Sequence, residues 1–213
     1  MTNAEETFAG RLSMMARMQA VHNDEVHLDW RNQGFEYYRA VWVECAELLD
    51  HFGWKWWKKQ IADIEQVKLE IVDIWHFGLS DLIRDDRVGP DLACEMVKRA
   101  DCKDGGDFRG AVESLASRAL VDPNFHVASF VDVLNTLPMS LDELFEKYIG
   151  KNVLNQFRQA HGYKDGRYRK VWQGREDNEH LSELVGKLNP LSDSFVEELL
   201  DALERRYPDK SAS

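Results

Sequence analysis

The sequence predicts an all-α fold, a multi-helix bundle. Three observations carry this expectation. Apolar residues recur at three- and four-residue steps through most of the chain, helix start and stop signals bound those runs, and no stretch sustains the two-residue alternation of a strand. Sheet should be minor or absent.

Taken in order, Leu12, Met15, Met18 and Val21 predict a first helix from Thr7 to about Val26. Gln19 and Asn23 lie four apart on one of its faces, either as surface polar residues or as a pair that reads the edge of a base. After a break at Trp30 to Gly34, a second helix runs from Phe35 to Phe52 through Tyr38, Val41 or Trp42, Cys45 and Leu48 or Leu49, and Gly53 fits its end. Trp54-Lys55-Trp56-Trp57-Lys58-Lys59 follows. It suits aromatics bound for a core or a dimer interface, or a stacking surface for a base with lysines placed for phosphate.

Val67, Ile71, Ile74 or Trp75, Leu79 and Leu82 mark a third helix from about Glu65 to Arg84, beyond which Pro90 limits continuation. Further helices are expected near Pro90 to Ala100 and Phe108 to Leu120, around a turn-rich loop from Asp101 to Asp107. That loop lacks the spacing of an EF-hand and reads as a solvent loop rather than a calcium site. Phe125 to Leu137 is the next helix, stopped by Pro138. A capping box at Ser140-Leu141-Asp142-Glu143 opens a long helix to about Ala160, with Gly162 as its end signal. Helices over Asp177 to Lys187 and Ser194 to Arg206, the latter with a capping box at Ser194 to Glu197, close the chain. No repeat and no linker divides it, so residues 1–213 read as one domain.

The second and third helices carry the chemistry. Glu44-Cys45-Ala46-Glu47 and Glu70-Ile71-Val72-Asp73 each set two carboxylates on one helical face, within mostly apolar flanks. Either these acids face water on amphipathic helices, or they meet in a partly desolvated site. There their mutual repulsion calls for a hard divalent cation such as Mg²⁺ or Mn²⁺.

Composition excludes several classes. Lys plus Arg number 27 against 38 Asp plus Glu, a net charge of −11 that argues against coating nucleic acid. No run of eighteen apolar residues is present to span a membrane. The polar, acidic start at Met1 to Glu6 is unlike a leader, and the 3 cysteines have no metal-type spacing, so a reducing cytoplasm is the expected compartment. The local exception to the acidity lies near the C-terminus. Leu144 and Tyr148 lie on a helical stripe that continues through Lys151, Asn155 and Arg158, and Tyr163 to Asn178 adds Lys164, Arg167, Arg169, Lys170 and Arg175. Glycines 166 and 174 suit tight turns. This is either a soluble basic loop or one that folds over a phosphate chain.

The paired acidic motifs, the aromatic-basic loop between them and the segment YIGKNVLNQFRQAHGYKDGRYRKVWQGREDN together resemble the dimeric dUTPases, all-α nucleoside triphosphate pyrophosphohydrolases related to MazG-like enzymes. The resemblance covers about residues 38–80 and 141–180, with a looser match from Gln19 to Trp30, and leaves 84–138 unmatched. It implies hydrolysis of dUTP to dUMP and pyrophosphate by a homodimer, limiting uracil in DNA and supplying dUMP, with dUDP left open as a second substrate. It further implies that Glu44, Glu47, Glu70 and Asp73 hold two or more Mg²⁺ ions, which Mn²⁺ can replace, and that Glu47 also positions or deprotonates the attacking water. Lys151, Asn155, Arg158, Tyr163 and Lys170 would hold phosphates or sugar, and Asn178 would serve the metal or phosphate site. Gln19, Asn23 and Trp54 would line the base pocket. No nucleic-acid or membrane partner is implied.

Three rivals compete with this reading. A MazG-like enzyme would act on another nucleotide. A carboxylate-bridged di-iron bundle would use His76 after Asp73 and a second motif at Asp177 to His180, although such sites favour Glu-x-x-His. A helical module that senses nucleotide without turnover would keep the acids but not the reaction.

Overall fold

A computed structural model describes residues 1–102, 106–189, 192 and 194–208, and among these it is all-α apart from one small hairpin. Nine α-helices are described: α1 (Asn3–Val26), α2 (Tyr37–Phe52), α3 (Ile64–Arg84), α4 (Pro90–Asp101), α5 (Phe108–Val121), α6 (Val127–Thr136), α7 (Leu141–Ala160), α8 (Asp177–Val185) and α9 (Phe195–Arg206). Strands β1 (Val171–Trp172) and β2 (Arg175–Glu176) pair antiparallel. No described helix is long and apolar enough to cross a membrane. The chain divides into two compact units, 1–145 and 146–213, with the boundary inside α7.

In the first unit, α3 is the centre. Its buried residues run from Val67 through Trp75 to Leu82 on nearly every side, so it reads as a core helix rather than a one-faced one. α2 and α1 pack against it, α5 packs on α2 and α6, and α4 packs on α1 and α6. Val41, Cys45 and Leu48 face the core from α2, whereas Trp42 and Val43 are exposed. Trp75 stacks on Phe130 at 5.1 Å between ring centres, and Phe125 lies against both. That cluster needs Gly78, where a Cβ would meet the Phe125 ring at 2.4 Å.

Local signals explain the helix ends. α1 starts at Asn3, four residues before the expected Thr7, because Thr2 and Glu5 form a reciprocal capping box. Asp63 caps α3 through the Gln66 amide, and Asp107 caps α5 through that of Gly110. The Asp101–Asp107 loop was expected to be solvent, but its residues 103–105 lie outside the described ones. Ser140 accepts from the Glu143 amide at 3.0 Å as expected, while the Glu143 carboxylate takes Lys68 at 2.6 Å. The capping box expected at Ser194 does not form. Ser194 has helical backbone angles and its hydroxyl turns to Glu198, so it cannot reach a first-turn amide.

The second unit is built on aromatic packing. Phe157, His161, Tyr168, Trp172 and Tyr207 form a connected cluster, with Tyr168 and Tyr207 stacked at 5.5 Å. α7 ends as a Schellman motif: the Tyr163 amide donates to the Arg158 carbonyl and that of Gly162 to Gln159, with Gly162 at φ 83°. Gln173 and Gly174 both have positive φ, the signature of a type I′ turn, and this tight connection creates the hairpin that the sequence reading placed in a loop. A Cβ at Gly150 would meet Val185 at 2.8 Å, so α7 and α8 approach closely there.

Candidate active site

Because α2 and α3 pack together, the two acidic motifs converge. Ligand oxygens of Glu44, Glu47 and Glu70 all lie within 4.8 Å of one another, with Glu70 buried, Glu44 half-buried and Glu47 exposed. The water-facing alternative therefore holds for Glu47 alone. The Glu44 carboxyl is pushed up to about 9, first by burial, then by the charges of Asp73 and Glu70, by a hydrogen bond with Glu70 and by the charge of Glu47. Asp73 thus acts electrostatically on Glu44 from the next turn of α3. Burial, with the Glu44 charge behind it, also pushes the Cys45 thiol up to about 12. The donors are all oxygens and repel one another, which is the chemistry a hard divalent cation relieves.

One neighbour escaped the sequence reading. His51 follows Glu47 by one helical turn, and its Nε2 lies 3.6 Å from Glu70 Oε1. The four-residue spacing would have found it. Beyond His51 the loop is tied down: its carbonyl accepts from the Asp63 amide, and Gln60 Oε1 accepts from the amides of Trp54 and Lys55. Trp54, Trp56 and Trp57 sit on this loop at 47%, 90% and 57% exposure, so they do not join the core of this chain. Lys55 Nζ lies 5.7 Å over the Trp54 ring and pairs with Asp50.

Gln19 and Asn23 are buried rather than on the surface. Gln19 donates to Asn23 at 2.9 Å, Asn23 donates to Ser80 at 3.0 Å, and Gln19 Oε1 lies 2.7 Å from His76 Nδ1. This polar chain links α1 to α3 one to two turns beyond Asp73. It also bears on the di-iron rival. His76 turns Nδ1 to Gln19 and His180 turns Nε2 to the Trp172 carbonyl at 2.9 Å, so neither histidine of that rival joins the acid trio among the described residues.

The cationic residues converge within the second unit. Lys151, 1% exposed, donates to Asn178 Oδ1 at 3.0 Å, and Arg158 Nη1 donates to Asn155 Oδ1 at 3.0 Å. Arg158 also grips Asp177 with Nε at 2.8 Å and Nη2 at 2.9 Å, and Tyr168 Oη donates to the same carboxylate at 2.8 Å. Burial would raise the Asp177 carboxyl, but Arg158 and Tyr168 outweigh it and hold the group below its ordinary range. Tyr163 and Lys170 lie farther out, Tyr163 half exposed beside Arg158 and Lys170 3.4 Å from Glu176. Arg167 and Arg175 likewise find acids, Asp165 and Glu183. Asp177 and Tyr168 had no signal in the spacing, because their partner Arg158 is 19 residues from Asp177.

The sequence model of the dUTPase family matches residues 11–163. This chain belongs to the dUTPase family. At the level of the family it is a hydrolase acting on dUTP. The match takes in all four acids and runs through 84–138, where the resemblance by motif was silent. It ends at Tyr163, before Lys170, Asp177 and Asn178. No curated protein matches the chain.

Proposed function

We propose that this dUTPase-family chain hydrolyses dUTP to dUMP and pyrophosphate with two or more Mg²⁺ ions, Mn²⁺ being able to substitute. The observation that carries the proposal is the convergence of Glu44, Glu47 and Glu70, with the charge of Asp73 acting on Glu44, in a family of enzymes for dUTP. Glu44, Glu47, Glu70 and Asp73 would hold the metal, with His51 beside Glu70 orienting its carboxylate. When bound, Mg²⁺ supplies Lewis-acid stabilisation of the phosphoryl oxygens and lowers the pKa of a water. Glu47 is the member of the trio open to solvent, which suits it to accept the water's proton and orient the lone pair for in-line attack. A phosphoanhydride has a good leaving group, so positioning and charge neutralisation suffice for the rest.

The remaining roles follow the resemblance. Lys151, Asn155, Arg158, Tyr163, Lys170 and Asn178 would bind phosphate and sugar, and Gln19, Asn23 and Trp54 the base, with residues 1–213 working as one domain in a cytoplasmic homodimer. The buried polar chain at Gln19 and Asn23 supports that assignment in kind, since amides held in an apolar setting can discriminate a base edge. The exposed Trp42, Val43 and Trp56 are consistent with a second copy covering part of this surface.

The test is a panel of nucleoside di- and triphosphates with Mg²⁺, reading pyrophosphate and orthophosphate separately. Release of pyrophosphate from dUTP, abolished by chelation, is the expected result, and the dUDP arm decides whether the diphosphate is a substrate. Preference for dCTP, dTTP or ATP would favour the MazG-like reading, and no turnover at all the sensing module. Sedimentation at micromolar concentration should give a dimer; a monomer alone would remove that part.

A further inference from the structure

We propose that Asp177 is the positioning residue of the phosphate-binding array: a buried carboxylate that holds Arg158, and with it Asn155 and Asn178, in place before any nucleotide arrives. This rests on the proposed function for the identity of the ligand, a nucleoside triphosphate or pyrophosphate. Its geometry rests on the second unit alone.

Asp177 is 0% exposed and sits at the first position of α8, where a carboxylate also gains from the helix dipole. Its two oxygens receive the Nε and Nη2 hydrogens of Arg158 in the paired geometry that fixes a guanidinium plane, and Tyr168 Oη braces one of the same oxygens. The guanidinium so fixed reaches Asn155 Oδ1 with Nη1 at 3.0 Å and Asn178 Oδ1 with Nη2 at 3.4 Å. Lys151 Nζ donates to that same Asn178 oxygen at 3.0 Å, which sets the direction of the amide. Four of the expected ligand-binding side chains are thus connected through one acid that was not among them. By contrast, Lys170, just before the hairpin, pairs with the exposed Glu176, a contact that restrains little.

Removing Asp177 has two opposed effects on anion binding. Deleting a negative charge beside two cations should by itself tighten the binding of an anion. Deleting the group that orients Arg158 should weaken it, since a guanidinium loses its advantage over a point charge when its plane is free. The positioning effect should win here, because a charge-assisted pair with two parallel bonds is replaced by an amide that can satisfy only one of them.

The experiment uses the full chain and Asp177→Asn, with Tyr168→Phe as the milder variant that removes only the brace. Pyrophosphate with Mg²⁺ is titrated by calorimetry, and KM and kcat for dUTP are measured beside inhibition by dUMP. Asp177→Asn should weaken pyrophosphate and raise KM for dUTP by about tenfold or more, with dUMP inhibition changed less than about twofold. Tyr168→Phe should shift both in the same direction by a smaller factor. Unchanged or tighter pyrophosphate binding in a folded Asp177→Asn protein overturns the proposal. If that variant does not fold, unchanged constants in Tyr168→Phe overturn it instead. A wild-type chain that binds pyrophosphate but does not turn over dUTP refutes the proposed function and leaves the pyrophosphate arm to decide the role of Asp177.

Discussion

Replacing Glu44 with Gln should stabilise the metal-free protein and remove much of its pH dependence. Glu44 carries an ordinary carboxyl pKa of 4.5 when unfolded and about 9 in the folded chain, so between those values the folded state holds a proton that the unfolded state has released. Stability therefore falls as pH rises through that window, the reverse of the usual salt-bridged acid. From pH 4.5 to pH 7 the cost approaches 3 kcal/mol by linkage, and about 2 kcal/mol after allowing for solvent at a site that is not fully enclosed. A divalent cation competes with the proton, so Mg²⁺ should raise the melting temperature more at pH 8 than at pH 6. Calorimetric melting in EDTA and in Mg²⁺, from pH 5 to pH 9, tests both statements. Wild type should lose stability with pH in EDTA, and Glu44→Gln should melt higher at pH 8 with a flatter profile and a smaller response to Mg²⁺. Parallel pH profiles for the two proteins in EDTA would refute the reasoning, as would a Mg²⁺ response independent of pH.

Glu47→Gln should lower kcat for dUTP by ~10²–10⁴ while dUTP affinity, measured by calorimetry, stays near wild type; an unchanged kcat would remove the acid from the proton transfer. His51→Ala should weaken Mn²⁺ binding, read by electron paramagnetic resonance, by about tenfold through loss of the group that orients Glu70. Equal affinity in the two proteins would make His51 a bystander. Arg158→Ala should cost the second unit ~3–5 kcal/mol in urea unfolding, because it leaves the buried Asp177 carboxylate without its main partner. A loss below about 1 kcal/mol would mean that the Arg158–Asp177 pair is not the restraint its burial implies.

The fold was legible because its determinants are local. Apolar spacing and punctuation located all nine described helices to within a few residues, since Gly53, Pro138 and Gly162 act on the residues beside them. The boundary missed by most, at Asn3, also had a local signal in Thr2 and Glu5. What escaped was the hairpin. Two-residue strands carry no periodicity, and Gln173–Gly174 resembles a generic turn until its backbone angles are known.

The site divides along the same line. Glu44 with Glu47, and Glu70 with Asp73, were readable because three-residue spacing makes each pair neighbours within one helix, and a long apolar α3 announces that its acids are not merely solvated. The cationic half was readable only as a list of residues. Arg158, Lys170 and Arg175 looked like positive charges in search of a ligand, yet each already faces an acid that lies elsewhere along the chain. Net charge along a segment cannot distinguish these conditions; burial can. Lys170 faces the exposed Glu176 and can exchange it for phosphate at little cost, whereas Arg158 is bound to a carboxylate with no exposure and is better suited to keep it. An arginine fixed in this way loses little rotamer freedom when a phosphate arrives, so the same pairing that hid its partner from the sequence also prepares it for an anionic ligand.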